Sequence, residues 1–240
     1  MVLINIKIKR KTLDNENSYF QIFKYEGDIN SSIAFVLEDI NSREKLIDTE
    51  GNFAERIEWD CGCLQKKCGA CAMIINGNPS LACSSLLKDL IKDDNNLITI
   101  EPLSKFPTVS DLKTNKYSIF KSLQDMKLYL ESEPKINKNQ HESEYQSSRC
   151  LMCGCCLEIC PNFDISNTFN GTLSMVNGFK LINQENEKNH KNEMIQEYRK
   201  HYYNGCGKSL SCEEICPINL PIEQLLSKSN AIGVWGRNLK

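Results

Sequence analysis

The sequence predicts an α+β protein in which a mixed-sheet domain, residues 1–108, precedes a helical domain, residues 109–240. In the first half, apolar and polar residues alternate with the two-residue period of half-buried strands. In the second half, apolar residues recur at the three- and four-residue intervals of a helix. Pro107 and the polar residues after it separate the two patterns, so the boundary is placed near residue 108.

The N-terminal domain is predicted to hold two hairpins, one packed helix and a late strand. Predicted strands cover residues 2–8, 19–25, 72–75 and 97–101. Asn76 and Gly77 end the third of these strands and are a strong signal for a two-residue hairpin turn. The polar run at 30–32 can cap a helix, and the apolar residues on one face of that helix are Ile33, Val36, Leu37 and Ile40.

The C-terminal domain is predicted to be helical. Its first helix is marked by five apolar residues at helical spacing, namely Ile119, Phe120, Leu123, Met126 and Leu130. A polar stretch at 131–148 follows, and further helices are predicted at 193–203 and 222–227. The charged run at 185–191 is interpreted as a solvated face, and Trp235 as a packing residue or a partner anchor.

The composition argues against several classes of function. The 240 residues carry a formal net charge of -2, so no basic excess favours nucleic acid as a partner. The N-terminus lacks the basic, apolar and small-residue order of a secretory signal, and no run reaches the roughly 18 apolar residues of a membrane span. These features predict a cytoplasmic chain with reduced thiols, in which 13 cysteines indicate metal binding rather than disulfides.

The cysteines fall into three groups, with a cysteine-free span between the first group and the second. The first group contains Cys61, Cys63, Cys68, Cys71 and Cys83. The second group contains Cys150, Cys153, Cys155, Cys156 and Cys160. The third group contains Cys206, Cys212 and Cys216. Clusters of this kind in a reduced chain are typical of metal centres.

The first group has the spacing of a plant-type [2Fe–2S] site. The predicted ligands are separated by four, two and eleven residues and are Cys63, Cys68, Cys71 and Cys83. Three of these thiolates lie on one tight loop, where Gly62, Gly69 and Ala70 allow the backbone to approach the sulfurs. Zinc is the alternative, but zinc loops usually combine two closely spaced pairs of ligands. Cys61 is one thiol more than the cluster needs and is assigned as a non-ligand.

The second group contains the run Cys-x2-Cys-x2-Cys-x3-Cys-Pro of bacterial ferredoxins. In two-cluster ferredoxins the fourth cysteine of each run binds the other cluster. This exchange assigns a [4Fe–4S] cluster to Cys150, Cys153, Cys156 and Cys216. Cys155 falls between the positions of the run and is assigned as a non-ligand.

The third group follows the same run, except that Ser209 stands where a cysteine is expected. The thiolates left for this site are Cys160, Cys206 and Cys212. Three thiolates hold three irons, which predicts a [3Fe–4S] cluster. A serine oxygen that holds a labile fourth iron is one alternative, although hard oxygen is a poor match beside soft sulfur. A purely structural third group is the other alternative.

The order of these motifs resembles the iron–sulfur subunit of succinate dehydrogenase and fumarate reductase. The resemblance covers nearly the whole chain and includes the segment Val109-Ser110-Asp111-Leu112. It implies a β-grasp, plant-type ferredoxin-like N-terminal domain and an all-α, bacterial-ferredoxin-like C-terminal domain. It also implies a row of clusters, in which the [2Fe–2S] cluster faces a flavoprotein, the [4Fe–4S] cluster is central and the [3Fe–4S] cluster is nearest a quinone site.

The same resemblance implies two kinds of partner. One is a flavoprotein subunit that carries FAD and the succinate or fumarate site, and the other is a membrane anchor with a quinone. The chain itself is implied to have no catalytic residue and to be peripheral on the inner face of the cell membrane. It has no Gly-x-Gly-x-x-Gly run after a strand for a dinucleotide. Its histidines, His141, His190 and His201, are interpreted as surface or supporting residues.

Three departures from the family bear on the electron donor and the quinone. The first loop reads Cys-Gly-Cys-Leu-Gln-Lys-Lys-Cys rather than the Cys-Arg-Glu-Gly form common in succinate dehydrogenases. Many ubiquinone-linked members carry a tryptophan shortly after the Cys-Pro of the second group, where this chain leads to Ile165, and a histidine where it has Gly207. A menaquinone-linked or fumarate-reducing member therefore fits better. The alternatives are an electron module of another flavin dehydrogenase, a thiol-linked fumarate reductase, a free-standing ferredoxin-type carrier and a non-redox metal-binding protein.

Overall fold

A computed structural model describes residues 1–12, 17–91, 96–135 and 138–234 of the chain. It separates into two compact units, Met1–Asn115 and Lys116–Lys240. Trp235 lies outside the described residues. Among the helices in the described ranges, none is long and apolar enough to cross a membrane.

The first unit is built on a five-stranded mixed sheet. Its strands are β1 (Val2–Arg10), β2 (Tyr19–Gly27), β3 (Ala72–Ile75), β4 (Asn78–Leu81) and β5 (Leu97–Glu101). Their order is β2-β1-β5-β3-β4, with β1 and β5 parallel and the other pairs antiparallel. Asn76 and Gly77 have φ angles of 47° and 81°, the left-handed values of a tight hairpin turn. Both predicted hairpins are therefore present.

Alternation along the strands and one capped helix form the core of this unit. The inward residues of β1 are at most 1% exposed and are Ile4, Ile6 and Ile8. Helix α1 (Ile33–Ser42) begins as predicted, because Ser32 Oγ accepts the N–H of Phe35 at 3.2 Å. The apolar face predicted for α1 is fully buried. A short helix, α2 (Leu87–Leu90), precedes β5.

A short hairpin of β6 (Thr108–Ser110) and β7 (Lys113–Thr114) is tied to β1 by a buried ion pair. Asp111 lies in the turn of this hairpin, and its Oδ1 accepts Arg10 Nε at 2.9 Å. The two side chains are only 3% and 4% exposed. Asp111 also accepts the N–H groups of Lys11 and Glu58, each at 2.9 Å. The first unit consequently extends to residue 115, past the boundary that the sequence placed at residue 108.

The second unit is helical. Its helices are α3 (Tyr117–Asp125), α4 (His141–Ser148), α5 (Cys155–Glu158), α6 (Gly171–Gln184), α7 (Lys188–His201), α8 (Ser211–Glu214) and α9 (Ile222–Gly233). Helix α6 is central and contacts α3, α4, α5, α7 and α9. The sequence analysis did not predict α6, whose first turn buries small and polar residues, Gly171, Thr172 and Ser174, beside Leu173.

The prediction that the first helix of this unit extends to Leu130 is wrong. Helix α3 ends at Asp125, and Lys127 takes the left-handed φ of 53°. Phe120, one of the five apolar residues at helical spacing, is 54% exposed. The apolar residues that follow the helix therefore continue its period in sequence but not in structure.

The interpretation of 185–191 as a solvated face holds for residues 186–189, which are exposed, but not for Glu185, which is only 2% exposed. Its carboxylate accepts Ser132 Oγ at 2.6 Å and the N–H groups of Glu131 and Glu187, each at 2.8 Å. Burial alone would raise the pKa of Glu185, but the hydrogen bonds from Ser132, Glu187 and Glu131 lower it to about 2. Glu185 thus fastens the segment after α3 to the turn between α6 and α7.

Two of the three histidines are buried structural residues, and His141 is exposed. His190 is 2% exposed and its Nε2 lies 3.0 Å from Tyr129 O. His201 is 8% exposed and its Nδ1 lies 2.8 Å from Thr168 O. Both rings therefore brace neighbouring backbone, in agreement with the interpretation as supporting residues.

Candidate iron–sulfur cluster sites

The β3–β4 hairpin brings together two predicted ligands of the [2Fe–2S] cluster. Cys71 immediately precedes β3 and Cys83 follows β4, and antiparallel pairing places Ala72 opposite Leu81. The pairing continues one step further, where the N–H of Ala82 donates to Cys71 O at 3.0 Å. Burial raises the pKa of Cys71 to about 12, and the neighbouring Cys83 side chain adds to that rise.

The loop before β3 turns its amides toward the sulfurs of the other two predicted ligands. Gln65 and Lys67 donate their N–H groups to Cys63 Sγ at 3.3 and 3.2 Å. These hydrogen bonds lower the pKa of Cys63 to about 7, which favours the thiolate that binds iron. The N–H of Cys63 in turn donates to Cys68 Sγ at 3.4 Å.

Left-handed residues give this loop its inward-facing amides. Leu64, Lys66 and Gly69 have φ angles of 51°, 58° and 73°. The N–H of Lys66 donates to Cys83 Sγ at 3.3 Å, which ties the loop to the strand end. A ring of amide donors around thiolates is the environment that a cluster sulfur requires. Consequently, the residues present fit the predicted [2Fe–2S] cluster.

Cys61 lies in a different environment from the four predicted ligands. Its side chain is exposed. Partial burial of its sulfur, together with the carboxylates of Glu38 and Asp60, raises its pKa.

One cavity of the helical unit gathers the four cysteines assigned to the [4Fe–4S] cluster. It is lined by Cys150, Cys153, Cys156 and Cys216. Its apolar walls include Leu151, Leu173, Val176, Leu220 and Ile222. Cys216 comes from the third group, so three cysteines of one run meet the last cysteine of the other. The N–H of Leu220 donates to Cys216 Sγ at 3.5 Å.

A second cavity gathers the residues assigned to the [3Fe–4S] cluster. It is lined by Cys160, Cys206, Cys212 and Ser209, with Pro161, Asn162, Phe169, Thr172 and Leu226 among the other wall residues. The cysteine of the second group lies here with the first two of the third group. Both halves of the predicted ligand exchange are therefore brought together in space.

Ser209 occupies the same kind of backbone position as Cys153. Cys153 lies between two left-handed residues, Met152 with φ 51° and Gly154 with φ 92°. Ser209 lies between Lys208 and Leu210, each with φ 59°. A short helix begins two residues after each position, at α5 and at α8. The loop around Ser209 thus has the form of a cluster-binding loop with the thiol replaced by a hydroxyl.

Thr172, in the first turn of α6, lines both cavities and is 3% exposed. Burial raises the pKa of Cys212, and the Thr172 hydroxyl opposes that rise. The two cavities therefore share Thr172 as a wall residue. Sequence reasoning missed Thr172, because nothing local to α6 marks it as a neighbour of cysteines far along the chain.

Cys155 lies behind the first of these cavities. It is fully buried and does not line either cavity. Its hydrogen bond with Cys153 lowers the pKa of Cys153 to about 7 and raises that of Cys155. Within the described ranges, no three His, Cys, Asp or Glu side chains converge on a site for a single metal ion.

We expect the variants Cys61→Ser and Cys155→Ser to retain all three clusters, because neither thiol is placed among the assigned ligands. Electron paramagnetic resonance of the purified protein, before and after dithionite reduction, checks this. The matched controls are Cys63→Ser and Cys153→Ser, each of which is expected to lose or alter one cluster. Loss of any cluster in the Cys61 or Cys155 variant would contradict the ligand assignment.

Two family models match the two units of the chain. Residues 5–121 match a family described as a 2Fe-2S iron-sulfur cluster binding domain. Residues 146–220 match a family described as a 4Fe-4S dicluster domain. These matches include every cysteine assigned above as a ligand, and they confirm the [2Fe–2S] and [4Fe–4S] chemistry predicted from the spacing.

Two curated relatives align with most of the chain. The succinate dehydrogenase iron-sulfur subunit of Bacillus subtilis is 27% identical over 240 residues, which covers 95% of this chain and 91% of that protein. The fumarate reductase iron-sulfur subunit of Wolinella succinogenes is 29% identical over 223 residues, which covers 87% of each chain.

A solved structure confirms the fold class. A chain of the Mycobacterium smegmatis Sdh1 complex in the apo form superposes with a TM-score of 0.76 at 17% identity, covering 96% of this chain and 95% of that one. The α+β prediction, a ferredoxin-like sheet domain followed by a helical domain, is thus correct. The motifs, the family matches and the curated relatives together show that the protein belongs to the iron–sulfur subunits of succinate dehydrogenases and fumarate reductases. It serves electron transfer in an oxidoreductase complex.

Proposed function

We propose that this chain passes single electrons between a flavoprotein subunit, which holds FAD and the succinate or fumarate site, and a quinone at a membrane anchor subunit. The observation that carries the proposal is the pair of cysteine-lined cavities that share Thr172. When bound, iron–sulfur clusters supply one-electron redox chemistry. The chain's own residues hold the clusters, exclude water from them and set their potentials.

The proposed ligand sets are those of the sequence analysis. The [2Fe–2S] ligands are Cys63, Cys68, Cys71 and Cys83, the [4Fe–4S] ligands are Cys150, Cys153, Cys156 and Cys216, and the [3Fe–4S] ligands are Cys160, Cys206 and Cys212. The apolar walls of the [4Fe–4S] cavity support a role in which solvent is kept from the cluster. Little solvent reorganisation is needed in such a site when an electron arrives or leaves.

The exposed loop of the first site supports contact with a partner at this end of the chain. Cys68, Lys66 and Lys67 are exposed, and Leu64 is 49% exposed. An apolar side chain that projects beside two lysines and a cluster ligand is suited to a protein interface. We propose that the flavoprotein subunit covers this loop.

The residues around the third cavity favour menaquinone over ubiquinone. Asn162 Nδ2 donates to Gly205 O at 2.7 Å. A Cβ on Gly207 would lie 3.0 Å from Asn162 Nδ2, so the family's histidine would clash unless Asn162 moved. The side chain of Ile165 is 45% exposed where many ubiquinone-linked members carry tryptophan. Both residues that contact ubiquinone in those members are therefore absent from this chain.

We also propose that the anchor subunit holds this chain at the cytoplasmic face of the membrane.

The proposed function is tested by purifying the tagged chain from membranes of its own host under anaerobic conditions. We expect an FAD-containing polypeptide and a quinone-binding membrane protein to co-purify, and succinate to reduce the clusters in the isolated complex. Reoxidation is expected to be faster with a menaquinone analogue than with a ubiquinone analogue. A chain that purifies alone, or with a flavoprotein that succinate and fumarate do not affect, would favour a free-standing carrier or another dehydrogenase.

A further inference from the structure

A buried tyrosine contacts the third cavity without lining it. Tyr202 follows the last residue of α7 and is 1% exposed. Its hydroxyl lies 3.4 Å from Cys206 Sγ, within hydrogen-bonding distance for sulfur. The sequence does not mark this residue, because the functional contact depends on how the chain turns between α7 and Cys206.

The position of this hydroxyl is fixed by backbone and ring contacts. Tyr202 O accepts the N–H of Cys206 at 3.1 Å, so the tyrosine and the cysteine are joined through both backbone and side chain. The Tyr202 ring is stacked on Phe169 at a centroid distance of 5.8 Å and lies 5.3 Å from the ring of Tyr198. A Cβ on Gly205 would lie 2.5 Å from the Phe169 ring, so glycine is needed for this packing.

The chemistry of the contact follows from the two groups. A phenol is protonated at neutral pH and donates one hydrogen bond, while a cluster-bound cysteine sulfur is a thiolate and accepts. Negative charge on the sulfurs is greater in the reduced cluster than in the oxidised one. A donor aimed at Cys206 Sγ therefore stabilises the reduced state more and raises the reduction potential.

We propose that Tyr202 is a positioning residue that raises the reduction potential of the third cluster through its hydrogen bond to Cys206. The inference rests on the proposed assignment of Cys206 as a ligand of that cluster. It adds a potential-setting residue outside the cysteine motifs, held in place by an aromatic cluster at the end of α7.

The test is an EPR-monitored redox titration of the purified complex carrying Tyr202→Phe. We expect the ratio of reduced to oxidised third cluster at a fixed ambient potential to fall about three- to tenfold, the usual range for one hydrogen bond. A tenfold change corresponds to about 59 mV for a one-electron couple. Cluster content and the potentials of the other two clusters are expected to stay unchanged.

Tyr198→Phe is the matched control. It removes a buried hydroxyl from the same aromatic cluster, but that hydroxyl donates to Asn230 Oδ1 at 2.6 Å and not to a cysteine. The reduction potential of the third cluster in Tyr198→Phe is expected to equal that in the wild type. An unshifted potential in Tyr202→Phe, or an equal shift in both variants, would overturn the inference.

A second measurement covers the case in which Tyr202→Phe loses the cluster. Incorporation of 3-fluorotyrosine into the otherwise wild-type chain makes the phenol a stronger hydrogen-bond donor. The reduction potential of the third cluster is then expected to rise. An unchanged potential would count against the role of Tyr202. A wild-type complex without a three-iron signal would instead overturn the proposed ligand set, and the Tyr202 inference with it.

Discussion

Ser209→Cys is expected to convert the third cluster from three irons to four. Ser209 lines the cavity with the three assigned thiols, and its backbone position matches that of Cys153, which is already a proposed cluster ligand. A thiol placed there supplies the missing soft ligand for a fourth iron. The added thiolate also brings negative charge close to the cluster, so the potential of the site is expected to fall well below that of the wild type.

Iron analysis and EPR of the air-oxidised protein measure the conversion. We expect the signal of the oxidised three-iron cluster to disappear in Ser209→Cys and the iron content to rise by one atom per chain. Ser209→Ala is the control, because it removes the hydroxyl without adding a thiol. It is expected to keep the three-iron signal unchanged. A Ser209→Cys protein that still shows the full three-iron signal would contradict the assignment of this cavity.

Asp111→Ala is expected to destabilise the N-terminal unit by about 3–5 kcal/mol, the cost of breaking a buried ion pair from one side. The substitution leaves the Arg10 guanidinium buried without its carboxylate, along with the N–H groups of Lys11 and Glu58. It also removes the side-chain contacts between the β6–β7 hairpin and β1, and leaves the backbone hydrogen bond from Asp111 N–H to Lys11 O. The segment Val109-Ser110-Asp111-Leu112, which carried part of the family resemblance, therefore has a role in folding.

The loss is measured as the temperature at which the visible circular dichroism of the [2Fe–2S] cluster disappears. A destabilisation of about 3–5 kcal/mol lowers the midpoint of thermal unfolding by about 10 °C or more for a unit of roughly 100 residues. Glu101→Gln is the matched control, since Glu101 pairs with Lys9 at 3.1 Å on a partly exposed surface. Such pairs contribute about 0–1 kcal/mol. Equal effects of the two substitutions would contradict a special role for the buried pair.

The cysteine sites were the most predictable part of the molecule. Their ligand spacing is local, and the short loops that it dictates can be recognised in the sequence without knowledge of the fold. The β3–β4 hairpin is similar, because Asn76 and Gly77 specify the turn and the turn specifies which strand ends meet. Even the gathering of Cys216 with the second group followed from the rule of ligand exchange.

What the sequence did not reveal depends on contacts between distant segments. Helix α6 begins with buried small and polar residues, Gly171, Thr172 and Ser174, which weaken the apolar period that marks a helix in the sequence. Glu185 is charged and was therefore interpreted as solvated, although three donors from two segments converge on it. Thr172 and Tyr202 reach cysteines through the fold of the helical unit, and no spacing rule identifies them.

The central claim is that this chain carries three different clusters for one-electron transfer. An EPR-monitored redox titration of the purified complex, with spins quantified against iron content, tests it most directly. We predict three independent one-electron transitions, two that become paramagnetic on reduction and one, the three-iron centre, that is paramagnetic when oxidised. Two transitions only, with no signal in the oxidised protein, would contradict the assignment of Cys160, Cys206 and Cys212 to a three-iron cluster.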